Sequence, residues 1–434
     1  MTDFYKEFST STEAEWLEKV KVDLKGKSID DVLHKFHPIE EINYSSYGFA
    51  DDNNQNHAIP GQPDFARGGK IKNNDWINNV CVPKDTPKNM NSFALKQLMS
   101  GATGLTFDLS DFDANQCDLM IKEIGFEYIT STFYYSTQEQ FNWLNKLTDN
   151  KDLVVSTVNK GQHKFGYIKN SRNYIVNAID VQYTGGNIHQ EIGYALNQGH
   201  ALLFKLMDEG MSVDDAAAQI KFKLGIGSNF FFEVAKFKAF RALWYSAVKS
   251  YKPEHSCSTI AYIDAETGFL NKSLKDPHNN LLRQTTEALS AVLGGIEELT
   301  IRPYNAWSTD KDLEKTQRLG LNIALLLKEE SYLDKVIDPS GGSYIVDELV
   351  NKLKKKSWTT FQKLEKEGID FLKSDIKKIA EIRIDKTEKE EHTYIGINKY
   401  FNNEPGTATW KIDKETPFGA PVILEKDCQI EVEL

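Results

Sequence analysis

The stretch Gly101-Ala102-Thr103-Gly104-Leu105-Thr106-Phe107-Asp108-Leu109 decides the fold, because glycine turns lead into a short run rich in apolar residues. Runs of this length that are bounded by turn residues are typical of buried β-strands. From residue 101 onward, similar runs alternate with amphipathic helices, and that alternation predicts a parallel sheet. The predicted strands cover residues 105–109, 128–135, 153–158, 174–181, 230–232, 259–263 and 299–304.

The number of strands favours a closed barrel. An eighth strand is predicted near residues 334–338, and eight strands fit a (β/α)8 TIM barrel better than an open doubly wound sheet. Helix start signals separate several of the strands, as in Ser136-x-x-Glu139 and Ser212-x-x-Asp215. We expect the barrel to occupy residues 91–400.

The segments on either side of the barrel have a different character. Thr12-x-x-Glu15 is a capping box, and apolar residues follow it at helical spacing, so a helix is predicted over residues 12–24. Residues 38–87 are rich in Asn, Asp, Gly and Pro and show no periodicity. We therefore expect an N-terminal helical and irregular arm over residues 1–90 and an extended tail over residues 401–434.

The composition excludes several classes of protein. A formal net charge of -11 argues against nucleic acid as a partner, since binding to phosphate backbones needs clustered Lys and Arg. The four cysteines stand far apart without a CxxC or Cys/His pattern, which predicts reduced thiols and no zinc site. The N-terminus lacks a secretory pattern, and no run of about 18 apolar residues occurs. These features predict a cytoplasmic protein that does not interact with membranes.

Three glycine-rich segments stand where a chain could hold a phosphate. Thr184-Gly185-Gly186-Asn187 follows a predicted strand and precedes a helix, a place where backbone amides can bind an anion. A glycine pair also serves simply to turn the chain, and this interpretation is favoured. The segments 225–227 and 340–343 likewise complete no dinucleotide or Walker pattern.

Three aspartates are the candidate chemical groups. Asp108, Asp180 and Asp264 lie at the ends of predicted strands, where barrel enzymes carry their catalytic groups. Aspartate at such a place also caps the following loop or helix, and the residues alone leave both interpretations open. The scattered histidines His163 and His189, like His200 and His255, lack the spaced partners of a metal site.

Seven segments resemble the acyl-CoA mutase family of methylmalonyl-CoA mutase, in the family's order. The segment from Phe232 to Trp244 is the most specific, because it is similar to the family's F-x-E-I-A-K-x-R-A-x-R-x-L-W helix. The resemblance implies a (β/α)8 barrel. The seven segments are residues 60–68, 101–109, 191–199, 232–244, 291–295, 338–344 and 395–400.

The sequence departs from the catalytic members of that family at their substrate-facing positions. Where they carry a Tyr-His pair whose imidazole polarises the thioester carbonyl, this chain has Ile179 and Asp180. The segment 69–75 lacks the tyrosine of their P-Y-A-T-M-Y loop. In the family's R-x-A-R-N-x-Q helix, Leu321 and Ala324 replace the second Arg and the Gln, although Arg318 and Asn322 remain.

The cofactor motif of the family is also missing. Catalytic members continue into a cobalamin-binding domain with a D-x-H-x-x-G motif, whereas this sequence has no such motif and ends 34 residues after Tyr400. The resemblance therefore implies the small, inactive subunit of a heterodimeric isomerase that interconverts methylmalonyl-CoA and succinyl-CoA. Adenosylcobalamin is expected on the large partner subunit, and no catalytic, cofactor-binding or metal residue is expected in this chain.

Two structural expectations follow from that implied role. The arm, with Trp16 and Trp76, should bury apolar surface against the large subunit, and Phe107, Phe133 and Tyr135 should fill the barrel and leave no acyl-CoA channel. Two alternatives stay open. One is an autonomous barrel enzyme that uses the strand-end aspartates, and the other is an acyl-CoA-binding protein or homo-oligomeric scaffold.

Overall fold

The structure is a computed structural model that describes residues 11–48, 59–149, 153–309, 312–406, 409–412, 416–426 and 428–432. Residues 1–10, to which the predicted lack of a secretory pattern refers, and residues 49–58 of the arm lie outside this set. The strands are β1 His34–His37, β2 Ile42–Ser45, β3 Ile77–Cys81, β4 Gly104–Asp108, β5 Thr130–Tyr135, β6 Val154–Asn159, β7 Ser171–Arg172, β8 Tyr174–Asn177, β9 Ile220–Ile226, β10 Ile263–Thr267, β11 Glu298–Thr300, β12 Trp410–Ile412 and β13 Ile430–Val432. The helices are α1 Glu13–Asp23, α2 Ile29–Leu33, α3 Pro87–Met99, α4 Ala114–Ile121, α5 Gln138–Leu147, α6 Ile179–Tyr183, α7 Ile188–Asp208, α8 Val213–Ala218, α9 Phe230–Lys249, α10 Asn279–Leu293, α11 Leu313–Leu325, α12 Tyr344–Glu367 and α13 Ile369–Glu388.

A parallel barrel forms the body of the chain. Its sheet has nine strands in the order β7-β6-β5-β4-β3-β11-β10-β9-β8, and every neighbouring pair is parallel. The two edge strands are separated in sequence by Asn173 alone, so the sheet curls round until its edges nearly meet. The predicted (β/α)8 barrel is therefore confirmed, with β7 as a two-residue addition to eight longer strands.

Several predicted strands are wrong in position. Residues 230–232 begin helix α9, and the strand is β9, whose lysines alternate with apolar residues. The strand predicted near 334–338 does not form, and the remaining barrel strand is β3, which lies before residue 91. Strand β8 ends at Asn177 because α6 begins at Ile179, and β10 begins at Ile263, later than the predicted 259–263.

The predicted filling of the barrel is also wrong. Phe107 and Phe133 stack on each other with ring centroids 5.6 Å apart, and Phe133 meets Trp143 of α5 edge to face. Tyr135 likewise lies beside Phe141 of α5. Because side chains alternate along a strand, these aromatic residues face the surrounding helices, and their polar neighbours face the barrel axis.

The N-terminal arm packs against the barrel through a hairpin. Helix α1 has the predicted capping box but buries no residue, and Trp16 stays half-exposed beside Tyr47, with ring centroids 4.6 Å apart. Ile39 and Glu40 in the turn between β1 and β2 are buried, and Glu40 accepts a hydrogen bond from the Ile188 amide at 2.9 Å. Trp76 is only 2% exposed within this chain's own core, so its predicted contact with a partner is wrong.

The C-terminal tail covers one side of the barrel. Strands β12 and β13 pair in parallel, and Trp410 is fully buried against Phe269 with its indole donating to Glu425 Oε2 at 2.9 Å. The described parts of residues 401–434 form these two short strands, turns and irregular segments. In the described ranges, the helices are too short or too polar to cross a bilayer.

Candidate functional site

A cleft of about 850 Å³ opens at the carboxyl ends of the barrel strands. Residues that follow β3, β4, β6, β8 and β11 line it, and the tail segment around Lys411 and Pro417 forms one wall. Active sites of (β/α)8 barrels form at this end, because the loops that leave the strands converge there. The charged lining residues are Lys84, Asp108, Lys160, Asp180, Lys223, Glu266, Arg302 and Lys411.

Asp108 lies at the rim of the cleft with its carboxylate already bound. Its Oδ1 accepts from the Ser110 hydroxyl at 2.6 Å, and its Oδ2 accepts from Lys160 Nζ at 2.9 Å. Burial alone would raise the pKa of Asp108, but these hydrogen bonds hold it below its usual range. Asp108 is thus an ionised residue that orders its own loop and pairs with a lysine.

Asp180 is the candidate aspartate that stays available at the cleft. It stands in the first turn of α6, beside the buried Ile179, and both line the cleft. Burial raises the pKa of Asp180 to about 6, with a contribution from Glu266 and against a hydrogen bond from Asn177. The positions at which the resemblance predicts the Tyr-His pair therefore lie at the cleft, but they present an aliphatic side chain and a carboxyl group.

Asp264 faces the barrel axis below the cleft. Its side chain is 2% exposed, and it accepts from Thr300 Oγ1 at 3.0 Å. Lys223 and Lys221 place their ammonium groups 3.6 and 3.7 Å from its Oδ2. Burial alone would raise the pKa of Asp264, but these two lysines lower it. Asp264 is therefore an ionised, fully paired residue.

A row of six alternating charges, which we call the axial ladder, runs along the barrel axis from the cleft toward the amino end. Arg302 Nε lies 3.6 Å from Glu266 Oε1, and Glu266 Oε2 accepts from Lys223 Nζ at 2.8 Å. Asp264 forms ion pairs with both Lys223 and Lys221. The ammonium group of Lys221 also pairs with Glu298. Opposite charges that are buried together must pair, because each alone would bear a large desolvation cost. The axial ladder consists of Arg302, Glu266, Lys223, Asp264, Lys221 and Glu298.

Uncharged polar groups complete the filling of the barrel axis. Asn79 of β3 donates to Thr300 Oγ1 at 2.9 Å and to Thr106 Oγ1 at 3.1 Å, so it bridges three strands. The Tyr262 hydroxyl donates to Glu298 Oε1 at 2.8 Å. Sequence reasoning missed the axial ladder, although charged residues at every second position in β9 and β10 were its visible signal.

The glycine-rich segments bind groups of this chain. The Ile188 amide, at the start of α7, donates a hydrogen bond to the Glu40 carboxylate, and the Gly225 amide donates to Glu191 Oε1 at 2.6 Å. Gly341 packs against the Arg67 guanidinium, which pairs with Asp338 at 2.5 Å. These contacts support the interpretation of the three segments as turns.

The other positions predicted from the resemblance lie away from the cleft. Lys70 donates to the Ile296 carbonyl at 2.6 Å, and the Asn74 amide donates to the Asp334 carbonyl, so segment 69–75 crosses the amino end of the barrel. Leu321 is buried in the same hydrophobic cluster as Phe107 and Phe133, whereas Arg318 is exposed. The structure therefore does not bring these positions together with Asp180.

The donor groups of the cleft do not fit the cobalt of a corrinoid. The resemblance implies cobalt ligation by an imidazole, and the described residues that line the cleft include no histidine. His189 is buried and hydrogen-bonded to Thr360 Oγ1 at 3.1 Å. Among the residues with described positions, no three His, Cys, Asp or Glu side chains gather closely enough to hold a metal ion.

A nearly closed parallel sheet with a charged cleft at the carboxyl ends of its strands defines this chain as a protein of the (β/α)8-barrel fold class. The sequence model of the methylmalonyl-CoA mutase family matches residues 157–417, more than half of the chain. The chain belongs to the methylmalonyl-CoA mutase family.

Three curated relatives match over long segments. The methylmalonyl-CoA mutase small subunit of Porphyromonas gingivalis is 30% identical over 406 residues, which cover 84% of this chain and 64% of that protein. Methylmalonyl-CoA mutase of Rhizobium meliloti is 32% identical over 247 residues, which cover 55% of this chain and 34% of that protein. The methylmalonyl-CoA mutase large subunit of Propionibacterium freudenreichii subsp. shermanii is 31% identical over a segment that covers 56% of this chain and 34% of that protein. The chain thus spans less than two thirds of each of these relatives.

Proposed function

We propose that this chain is the non-catalytic small subunit of a heterodimeric, cobalamin-dependent methylmalonyl-CoA mutase. The observation that carries the proposal is the pair Ile179 and Asp180 at the cleft. The ionised carboxylate of Asp180 repels a developing oxyanion, whereas the imidazole of catalytic members donates a hydrogen bond to it. The large subunit would carry adenosylcobalamin and interconvert methylmalonyl-CoA and succinyl-CoA.

The axial ladder supports the lack of a substrate channel. Lys221 and Lys223 point into the barrel axis, and Lys221 and its partner Glu298 are at most 1% exposed. A pantetheine arm that followed the axis would have to displace these ion pairs, and each unpaired buried charge would cost several kcal/mol, roughly 3–5. The expected absence of an acyl-CoA channel thus rests on charged residues in place of the predicted aromatic ones.

The arm supports a role in assembly. Helix α1 buries none of its residues in this chain, and its apolar stripe includes the half-exposed Trp16 and Val20. An apolar stripe that is covered by a large subunit would stabilise the complex by mass action. Domain bounds of 1–90, 91–400 and 401–434 remain our proposal, with β3 as a barrel strand contributed from the first segment.

Co-expression with a large subunit of this family tests the proposed function. We expect mutase activity in the complex, no turnover by this chain alone, and unchanged activity of the complex when Asp180→Ala is introduced here. Trp16→Ala should weaken co-purification, and Lys19→Ala, at an exposed position of the same helix, is the matched control. Turnover by the purified chain, or measurable binding of methylmalonyl-CoA or cobalamin to it, would contradict the proposal.

The autonomous-enzyme alternative retains one supporting observation. Asp180 combines access to the cleft with a pKa of about 6, a value suited to proton transfer near neutral pH. Asp108 and Asp264 are already paired, so this alternative rests on Asp180 alone. Turnover of any small-molecule substrate that is abolished by Asp180→Asn would favour it.

A further inference from the structure

Arg302 places a strong anion-binding group in the cleft. It follows β11, its side chain is 31% exposed, and its nearest carboxylate is Glu266 at 3.6 Å. Its Nε is shielded from solvent but has no hydrogen-bond partner among the described residues. Glu266 is shared, because its other oxygen accepts from Lys223 at 2.8 Å. The Arg302 guanidinium also contacts the Cys81 side chain. A guanidinium carries five donors in a planar fork that matches a carboxylate or phosphate, so Arg302 still retains donors for an external anion.

A row of aromatic rings begins beside Arg302. The Tyr183 hydroxyl donates to Glu266 Oε1 at 3.4 Å, which places this ring next to the guanidinium. Tyr183 stacks on Phe269 with centroids 4.4 Å apart, and Phe269 meets Trp307 edge to face at 5.5 Å. Tyr183 is partly exposed at the cleft, whereas Phe269 and Trp307 lie behind it and are only 4% and 8% exposed. Aromatic faces bind flat apolar groups, so the cleft combines an anion-binding head with an apolar wall.

The charge and shape of the cleft agree with that combination. Its described lining carries five cationic and three acidic side chains, although the whole chain has a net charge of -11. A cleft with locally positive charge concentrates anions at its mouth. Its volume of about 850 Å³ suits a drug-sized ligand. The axial ladder closes the floor, so such a ligand must enter and leave by the mouth.

We infer that the cleft is a binding site for a small organic anion, a carboxylate or phosphate monoester with a flat apolar body. Arg302 binds the acid group, and the ring of Tyr183, held in place by Phe269 and Trp307 behind it, contacts the body. This inference goes beyond the proposed supporting role, because such a site gives the subunit a ligand of its own. Neither a thioester nor a corrinoid is required for it.

Titration calorimetry on the full chain at pH 7.5 and low salt tests the inference. The probes are phenyl phosphate and 3-phenylpropanoate, with inorganic phosphate and succinate as ligands that lack the flat body. We expect at least one aromatic probe to bind, roughly tenfold more tightly than its non-aromatic counterpart, and to change the fluorescence of Trp307. The aromatic probe that binds identifies the acid group. Binding by neither aromatic probe would overturn the inference.

Variants assign the binding to Arg302. Arg302→Leu should weaken the bound probe roughly 10- to 100-fold, because a charged hydrogen-bonding group is lost. Arg318→Leu, at an exposed arginine outside the cleft, should bind as the wild type does. If circular dichroism shows that Arg302→Leu is unfolded, Arg302→Lys keeps a charge for Glu266 while removing the planar fork. That variant should still lose about tenfold in affinity.

Two outcomes separate this inference from the proposed function. Wild-type affinity in the folded Arg302 variants would overturn the assignment of the cleft, whatever the chain assembles with. Co-purification with a large subunit is measured separately on the same variants and should persist. Failure of the wild-type chain to assemble would refute the small-subunit role and leave the binding result intact.

Discussion

Replacing Lys221 by methionine is the sharpest test of the axial ladder. The Lys221 side chain is completely buried, binds Glu298, and lies 3.7 Å from Asp264 and 3.3 Å from Thr132 Oγ1. Methionine has a similar length and fills the space without a charge. The substitution therefore removes the electrostatic contacts and leaves the packing nearly unchanged.

The expected loss of stability follows from what remains around the two acids. Asp264 keeps Lys223 and Thr300 as partners, whereas among the described residues Glu298 keeps only the Tyr262 hydroxyl. A buried carboxylate that loses its cation costs about 3–5 kcal/mol. In contrast, the double variant Lys221→Met with Glu298→Gln leaves no unpaired charge and preserves an acceptor for Tyr262. We expect it to recover most of that loss.

Urea unfolding followed by circular dichroism measures these differences. The matched control is Lys96→Met, since Lys96 pairs with Glu314 at 3.0 Å with both side chains more than half exposed. Surface pairs of this kind contribute about 0–1 kcal/mol. A loss in Lys221→Met no larger than in Lys96→Met, or no recovery in the double variant, would refute the buried ion-pair argument.

Three further predictions concern the cleft, the arm and a close contact. Because the pKa of Asp180 is raised in the fold to about 6, its protonated form stabilises the protein at low pH and this stabilisation is lost as pH rises through 6. Asp180→Asn should therefore raise the melting temperature more at pH 8 than at pH 5, and an equal shift at both would count against the raised value. Trp16→Ala should leave the stability of the isolated chain nearly unchanged, whereas Trp76→Ala should cost about 3–5 kcal/mol in chemical unfolding because Trp76 is buried. Gly161→Ala would place a Cβ 2.3 Å from the Ser136 carbonyl oxygen, a backbone atom that cannot turn away, and should cost about 1–3 kcal/mol; a wild-type unfolding midpoint would contradict this packing.

Local signals in the sequence predicted local structure well. The capping box at Thr12 gave helix α1, and the apolar run before Leu109 gave strand β4, because both depend on residues close in sequence. Asp180 was placed at the cleft because it follows a strand, and carboxyl ends of parallel strands converge. These inferences needed no knowledge of distant partners.

Long-range pairing was not predictable in the same way. Strand β9 was missed because Lys221 and Lys223 are typical of an exposed surface, and only partners far along the chain make them interior residues. Lys221 and Glu298 are 77 positions apart, so no window of sequence reveals their contact. Strand β3 was missed for a similar reason. Asn79 is typical of a surface position, and only its hydrogen bonds to the distant Thr106 and Thr300 make it an interior residue.

The axial ladder draws its charges from β9, β10, β11 and Arg302, which follows β11, and this distribution limits how the chain can be divided. A fragment cut in the loop after α9 would keep two lysines and lose all three acids that neutralise them. Such a half-barrel would expose its own interior cations to water and would not hold its shape. The two halves should become ordered only when mixed, so a newly synthesised chain gains its barrel late, after β11 has left the ribosome.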